Sequence, residues 1–231
     1  MNILKDKYGR LHDYVRISLI DKCNLNCIYC NPLSKRNKVL YNKEPLSADK
    51  IIRLAGILVN ELGIKKIRFT GGEPLLRKDF AEIIAGLKPL KEAIPFKTGI
   101  TTNGTKLKEN IYYLKKYGVD YLNISLDTLN KEKFIKITGK DLFKETIEAI
   151  KLSTESDFEK IKVNAVVMKG VNDDELLNFV DYFKDTDINL RFIEYMPFGS
   201  NDWQINGFIG CGEMKKIIAE EFSITRINKE V

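Results

Sequence analysis

The sequence predicts an α/β fold, specifically a partial, open (βα)6 barrel of the TIM-like kind. Three observations predict it. Strand-like and helix-like segments alternate along nearly the whole chain, which implies a parallel sheet with right-handed crossovers. Each strand-like segment runs into a polar or glycine-rich cluster, and in parallel barrels such clusters gather at one opening, where the βα loops converge. Only six such units can be counted, too few to close an eight-stranded barrel, so a lateral gap is expected.

The elements follow in order. "YVRISLI" (14–20) reads as the first strand and ends in "DKCNLNC". "SADKIIRLAGILVNEL" (47–62) shows helical apolar spacing behind Ser47, an expected N-cap. "KKIRFTG" (65–71) is the second strand; "TGGEP" follows it, and a helix, "FAEIIAGLKPL", begins at Phe80. "FKTGITTNG" (96–104) is the third strand with its cluster "TTNG". The next helix, "LKENIYYLKKYG" (107–118), closes on Gly118, which suits a left-handed C-terminal cap. "VDYLNISLD" (119–127), "KIKVNAVVM" (160–168) and "INLRFIEYMP" (188–197) are strands four to six, leading into "SLDT", "KGVND" and "EYMPFG". "LFKETIEAIKLSTE" (142–155), "NDDELLNFVDYFK" (172–184) and "GEMKKIIAEEF" (212–222) supply the remaining helices.

Composition bounds the function classes. With 231 residues, 44% hydrophobic and 30% charged, the chain buries a proper core as one domain (1–231), and disorder is excluded. Residues 1–20 carry charges throughout, and no run approaches the roughly 18 apolar residues of a membrane span, so a cytoplasmic protein with no membrane partner is expected. The net charge of +6 would favour anionic substrates by steering, but a lysine-rich solvated surface accounts for it equally, and no nucleic-acid partner is expected.

Cys23, Cys27 and Cys30 stand out in "DKCNLNCIYC", spaced CxxxCxxC. A reducing compartment makes them thiolate ligands in preference to disulfide partners. A closed zinc or iron–sulfur site ordinarily takes four protein ligands, and the fourth cysteine, Cys211, lies far along the chain. A partial zinc site and an iron–sulfur cluster with one open iron both remain readings of the spacing alone.

The spacing, with Tyr29 in "IYC" and "GGEP" (71–74) after the second strand, resembles the radical SAM signature. Further motifs extend the likeness: "KKIRFTGGEPLLRKDF", "ITTNG", "LNISLDTLN", "FIKITG", "IKVNAVVMKGVNDDEL" and "LRFIEYMPFGSNDW" are similar, in that order, to the catalytic domain of the GTP 3',8-cyclase family of molybdenum cofactor biosynthesis, over about residues 8–222. The resemblance implies one [4Fe–4S] cluster on Cys23, Cys27 and Cys30, with S-adenosyl-L-methionine on the open iron beside Tyr29, Gly71, Gly72, Glu73, Ser125 and Met196. It implies GTP as the substrate, held by Arg16, Lys66, Arg68, Thr101, Lys162 and Arg191. It further implies abstraction of the 3' hydrogen of GTP by a 5'-deoxyadenosyl radical, and an electron donor such as flavodoxin or ferredoxin; a homodimer stays open.

The cations carry a physical argument of their own. Arg16, Arg68, Lys162 and Arg191 fall on strands of a parallel sheet, where charge is costly unless it faces a polar cavity or is paired. Several cations converging on one interior suit a triphosphate. Pairing with Glu73, Asp127 or Glu194 is the structural alternative. The family resemblance also implies about a hundred further residues carrying a second cluster; the sequence ends at "SITRINKEV" before them, as either a fragment of a longer protein or a naturally short relative would. One cluster per chain is therefore expected. A short radical SAM enzyme acting on a peptide or another small molecule, or a cluster-bearing regulatory protein, are the alternative functions.

Overall fold

A computed structural model of the chain describes residues 4–30, 44–197, 201 and 203–227. Of the quoted stretches, residues 198–200, 202 and 228–231 lie outside the described residues. Six strands form one sheet: β1 (Tyr14–Ser18), β2 (Lys66–Thr70), β3 (Lys97–Thr102), β4 (Tyr121–Ser125), β5 (Lys160–Val167) and β6 (Asn189–Glu194). Their order in space is their order in sequence, and every neighbouring pair is parallel. Among the described strands β1 and β6 each have one neighbour, so the sheet stays open as a partial (βα)6 barrel.

Among the described residues seven α-helices connect and cover the strands: α1 (Ala48–Asn60), α2 (Phe80–Ala93), α3 (Leu107–Lys116), α4 (Lys131–Thr138), α5 (Phe143–Thr154), α6 (Leu176–Phe183) and α7 (Cys211–Ala219). Ser47 takes the N-cap position of α1 in extended conformation, but its side chain makes no capping hydrogen bond. Gly118 is left-handed (φ 75°) and its N–H donates to the Lys115 carbonyl, as the sequence led one to expect. Pro89 lies inside α2, yet the helix runs on to Ala93, past the expected end.

The sequence reading passed over α4. Its eight residues carry three lysines and only a short apolar repeat, but both ends are well signalled. The Asn130 side chain accepts a hydrogen bond from the Lys133 N–H, and Gly139 closes the helix at φ 69°.

The core lies between the sheet and the helices. Ile67, Phe69, Ile100, Leu122, Ile124, Val163 and Ala165 point outward from the strands and meet Ile51, Ala55 and Val59 of α1, Ile83 and Leu87 of α2, Leu114 of α3, Ala149 of α5 and Phe179 of α6 in one buried cluster. Side chains alternate along a strand, so the residues between those apolar ones face the concave side. They are Tyr14, Arg16 and Ser18; Lys66, Arg68 and Thr70; Lys97, Gly99 and Thr101; Tyr121, Asn123 and Ser125; Lys160, Lys162, Asn164 and Val166; Asn189, Arg191 and Ile193. A parallel sheet packed on both faces would be apolar on both. This one is mainly apolar on the helix side, and its inner face, apart from Val166 and Ile193, is polar or glycine and suits a polar occupant.

No helix among the described residues is long and apolar enough to cross a membrane.

Candidate active site

Cys23, Cys27 and Cys30 lie on the loop that follows β1, at the C-terminal end of the sheet. All three border one cavity of about 120 Å³, together with Tyr29, Gly71, Gly72, Glu73, Thr101, Thr102, Asn103, Ser125, Asp127 and Thr138. A larger concavity, about 580 Å³, opens at the other end of the sheet among Glu155, Asp157, Asp185 and Asp187. It is remote from the cysteines, and the smaller cavity is the one with chemistry.

Three neighbours fix the cysteine loop. The Asn26 and Ile28 N–H groups donate to the carbonyls of Thr138 (2.8 Å) and Ile137 (2.9 Å), at the end of α4. From the loop after β3, Asn103 Nδ2 donates to Asn24 Oδ1 (2.9 Å) and lies 3.7 Å from Cys23 Sγ, while Asn24 Nδ2 donates to Thr105 Oγ1 (2.9 Å). The third is the glycine pair. The Gly72 N–H donates to the Ile20 carbonyl and the Glu73 N–H to that of Lys22. Gly71 sits at φ 150°, and a Cβ on Gly72 would collide with the backbone carbonyls of Asp21 and Lys22. Only glycine lets the two loops approach this closely.

Glu73, expected beside S-adenosylmethionine, is 1% exposed and spends both oxygens on the scaffold. One accepts from Thr102 Oγ1 (2.7 Å) and the Leu75 N–H (3.1 Å), the other from the Asn103 N–H (2.7 Å). Burial pushes its carboxyl up from the ordinary range. It borders the cavity as a brace between the second and third loops.

Tyr29 donates its hydroxyl to Asp127 Oδ2 at 2.6 Å, and Asp127 Oδ1 accepts from the Val166 N–H at 2.9 Å. Asp127 is fully enclosed, and burial raises its pKa to about 6. Burial also raises all three cysteine thiols, and for Cys27 the charge of Asp127 and the two other sulfurs add to the effect. The three thiols resist ionisation alone and border one cavity; among the described residues no cysteine, histidine or carboxylate group is gathered at metal-ligand spacing, and a bound cation that drew the three sulfurs together would stabilise the thiolates.

Of the residues expected around S-adenosylmethionine, Met196 is the one that does not border the cavity. It follows β6 and is exposed. Asn201 nevertheless ties it to the cysteine loop, donating through Nδ2 to the carbonyls of Met196 (3.0 Å) and Tyr29 (3.1 Å).

Below the cavity lies the cation set. Arg16 pairs in register with Arg68, whose side chain is 5% exposed. Both donate from Nε to the Tyr14 hydroxyl, at 2.9 and 2.8 Å. Lys66 lies 4.1 Å from the centre of the Tyr121 ring, a cation–π contact, and burial and Arg68 lower its pKa. Lys162 is pushed down to about 8 by burial and then by Arg191, Lys160, Lys66 and Arg68. Among the described residues none of Arg16, Lys66, Arg68, Lys162 and Arg191 forms an ion pair. The carboxylates that might have neutralised them are engaged elsewhere: Glu73 and Asp127 as above, and Glu194 with the Cys211 N–H at 2.6 Å. Cys211 itself is an exposed thiol in the first position of α7. Asp127 is weighed from the sequence only as a strand-end polar residue or a carboxylate partner of the cations; Thr102, Asn103, Asn123 and Asn164 carry no signal there beyond their strand-end or alternating positions.

An open parallel sheet with three cysteines on its first loop and a glycine pair against them defines a class, and the family of that class, the radical SAM superfamily, matches residues 17–183. Solved structures agree on the fold at low identity: Streptococcus suis SuiB (TM-score 0.70, 22% identical, covering 93% of this chain and 48% of that one) and anSMEcpe with bound AdoMet (TM-score 0.72, 20% identical, 90% and 57%). Closer in sequence are the GTP 3',8-cyclase of Petrotoga mobilis, 41% identical over 96% of this chain and 68% of that protein, and the mitochondrial GTP 3',8-cyclase of Arabidopsis thaliana, 43% identical over 98% and 57%. Within the superfamily, then, the chain belongs to the GTP 3',8-cyclase family. It spans a third to two thirds of the length of these relatives; for molybdenum cofactor biosynthesis protein 1 of Dictyostelium discoideum, 44% identical, the share is 34%.

Proposed function

We propose that the chain is the radical-generating core of a GTP 3',8-cyclase, acting on GTP in molybdenum cofactor biosynthesis. The observation that carries the reading is the stacking of two unlike sites along one barrel: a three-thiol cavity at the strand ends and, beneath it, five cations that pair with no carboxylate among the described residues. Cys23, Cys27 and Cys30 would hold a [4Fe–4S] cluster, whose one-electron reduction in the presence of S-adenosylmethionine supplies a 5'-deoxyadenosyl radical.

The protein's own part is placement. Gly71 and Gly72 offer backbone polar groups at the cavity edge, and Tyr29, held by Asp127, gives it a fixed aromatic wall. Arg16, Lys66, Arg68, Lys162 and Arg191 suit a triphosphate, the two-pronged guanidinium groups matching phosphate oxygens. A nucleotide held by its phosphates on these cations would extend its sugar toward the cysteine cavity. Holding the reacting atoms in near-attack geometry is the larger share of what such a site contributes.

The test is anaerobic reconstitution followed by incubation with reductant, S-adenosylmethionine and GTP, measuring 5'-deoxyadenosine and nucleotide consumption together. The reading expects both, and expects Cys27→Ala to lose the brown colour and the cleavage. Stoichiometric zinc in the wild type, or full activity in Cys27→Ala, would overturn it.

A further inference from the structure

Three buried side-chain atoms among the described residues have no hydrogen-bond partner: Nη1 of Arg68 and the amide oxygens of Asn123 and Asn164. An amide exchanges its oxygen and nitrogen by turning about χ2, so the two asparagines select no ligand. A guanidinium carries donors at every nitrogen, and Nη1 of Arg68 calls for an acceptor whichever way it is turned. Arg68 is 5% exposed, yet its side chain makes a single hydrogen bond among the described residues, from Nε to the Tyr14 hydroxyl at 2.8 Å.

Arg16, the register partner of Arg68 on the neighbouring strand, donates from its own Nε to the same oxygen at 2.9 Å. Adjacent strands run about 4.8 Å apart, so the two guanidinium groups are neighbours that repel each other. A phenol oxygen has two lone pairs, and these two bonds use both. The Tyr14 ring gathers cations as well, with Arg16 and Lys66 at 5.7 and 5.6 Å from its centre. Tyr14 opens β1 and lies one inward-facing position further from the cysteine loop than Arg16, so it grips both arginines from behind.

An arginine held at Nε keeps its Nη groups for another partner. A carboxylate in the place of Tyr14 would hold the same two nitrogens and cancel their charge. The neutral phenol fixes them and leaves the charge for a ligand. A long side chain already fixed in the folded protein also has less rotamer freedom to lose when the ligand arrives.

We infer that Tyr14 is a positioning residue for nucleotide binding: its hydroxyl holds Arg16 and Arg68 by Nε, so that their remaining nitrogens meet the phosphates as a preformed pair. The inference rests on the nucleotide reading above and deepens it. Tyr14→Phe isolates the hydroxyl, since it keeps the ring beside Arg16 and Lys66, and Tyr14 is 39% exposed, so little packing changes. Binding of GTP and of guanosine is measured by calorimetry on the anaerobically reconstituted chain, on Tyr14→Phe, on Arg16→Ala/Arg68→Ala and on the triple variant. Arg→Lys versions, which lose the Nε–H and keep the charge, stand in for an alanine pair that does not fold.

Tyr14→Phe should bind GTP about tenfold more weakly than the wild type and guanosine equally well. Added to the arginine pair, it should change neither affinity. A lower melting temperature in Tyr14→Phe with its preference for GTP undiminished is the mark of a structural role; that preference, kept at any melting temperature, would overturn the positioning role and leave the nucleotide reading standing. A further loss of GTP affinity when Tyr14→Phe is added to the arginine pair would overturn it too, because the hydroxyl would then act on the nucleotide directly. Equal wild-type affinity for GTP and guanosine would instead overturn the nucleotide reading, and the positioning role with it.

Discussion

At the scale of single residues, the cations decide what the barrel can hold. Arg68 has buried its guanidinium against Tyr14 and kept one nitrogen unpaired. Replacing it with alanine removes a charge-assisted contact, so Arg68→Ala should weaken GTP binding by about 1.5–3 kcal/mol and bring GTP, GDP and guanosine closer together in affinity. Calorimetry with the three ligands checks this. Lys162 adds a pH dependence. Its native pKa, lowered to about 8, means that the cost of its buried charge is fully present below pH 8 and is relieved as pH rises toward the ordinary lysine value of 10.5. A bound triphosphate reverses the balance by holding the proton on. Affinity should be flat below about pH 8 and fall above it, and binding just above pH 8 should take up protons. Calorimetry in buffers of different ionisation enthalpy measures the uptake, and Lys162→Met should abolish it.

At the scale of elements, the cysteine loop owes its shape to what it leans on. The Gly71–Gly72 turn touches the backbone of Ile20, Asp21 and Lys22 with no flexible side chain between them. Gly72→Ala must push one loop off the other, at a cost of about 1–3 kcal/mol, typical of overpacking. The lower melting temperature should come with reduced iron after reconstitution, because the displaced residues adjoin Cys23. α4 supports the loop from the other side, through the carbonyls of Ile137 and Thr138. Asn130→Ala removes the N-cap of that eight-residue helix, costing about 1 kcal/mol. Thermal unfolding reads the loss; iron content should fall less than in Gly72→Ala, since the cap is a full helix length from the loop. Here the sequence was least legible. A helix of eight residues with three lysines offers little periodicity, and its N-cap and glycine stop read equally well as a turn.

At the scale of the molecule, one sheet serves two chemistries because its faces differ. The helix-facing residues are apolar and almost fully buried, which supplies the stability; the concave residues are polar and leave the stability to the other face. The 231-residue chain has four cysteines, three at the cavity and Cys211 exposed on α7. Reconstitution of this chain should therefore give about four irons per chain, the content of one [4Fe–4S] unit. Iron and sulfide assay of the purified chain checks the number, and about eight would show a second cluster assembled on ligands other than these cysteines.

The sequence by itself determined the alternation of strands and helices, the six-unit count, the cysteine spacing and the glycine pair, because each is a local pattern set by a residue's neighbours in the chain. It also named the cations, since charge inside a strand of a parallel sheet is visible without a structure. Whether those cations were paired was not visible. Glu73, Asp127 and Glu194 were equally available on paper, and only the packing of the loops committed Glu73 to Thr102 and Asn103, Asp127 to Tyr29 and Val166, and Glu194 to the start of α7. The unpaired amides of Asn123 and Asn164 were likewise a product of tertiary structure. Whether a hydrogen bond is satisfied depends on what comes near through space, and residues far apart along the chain meet only when the barrel has formed.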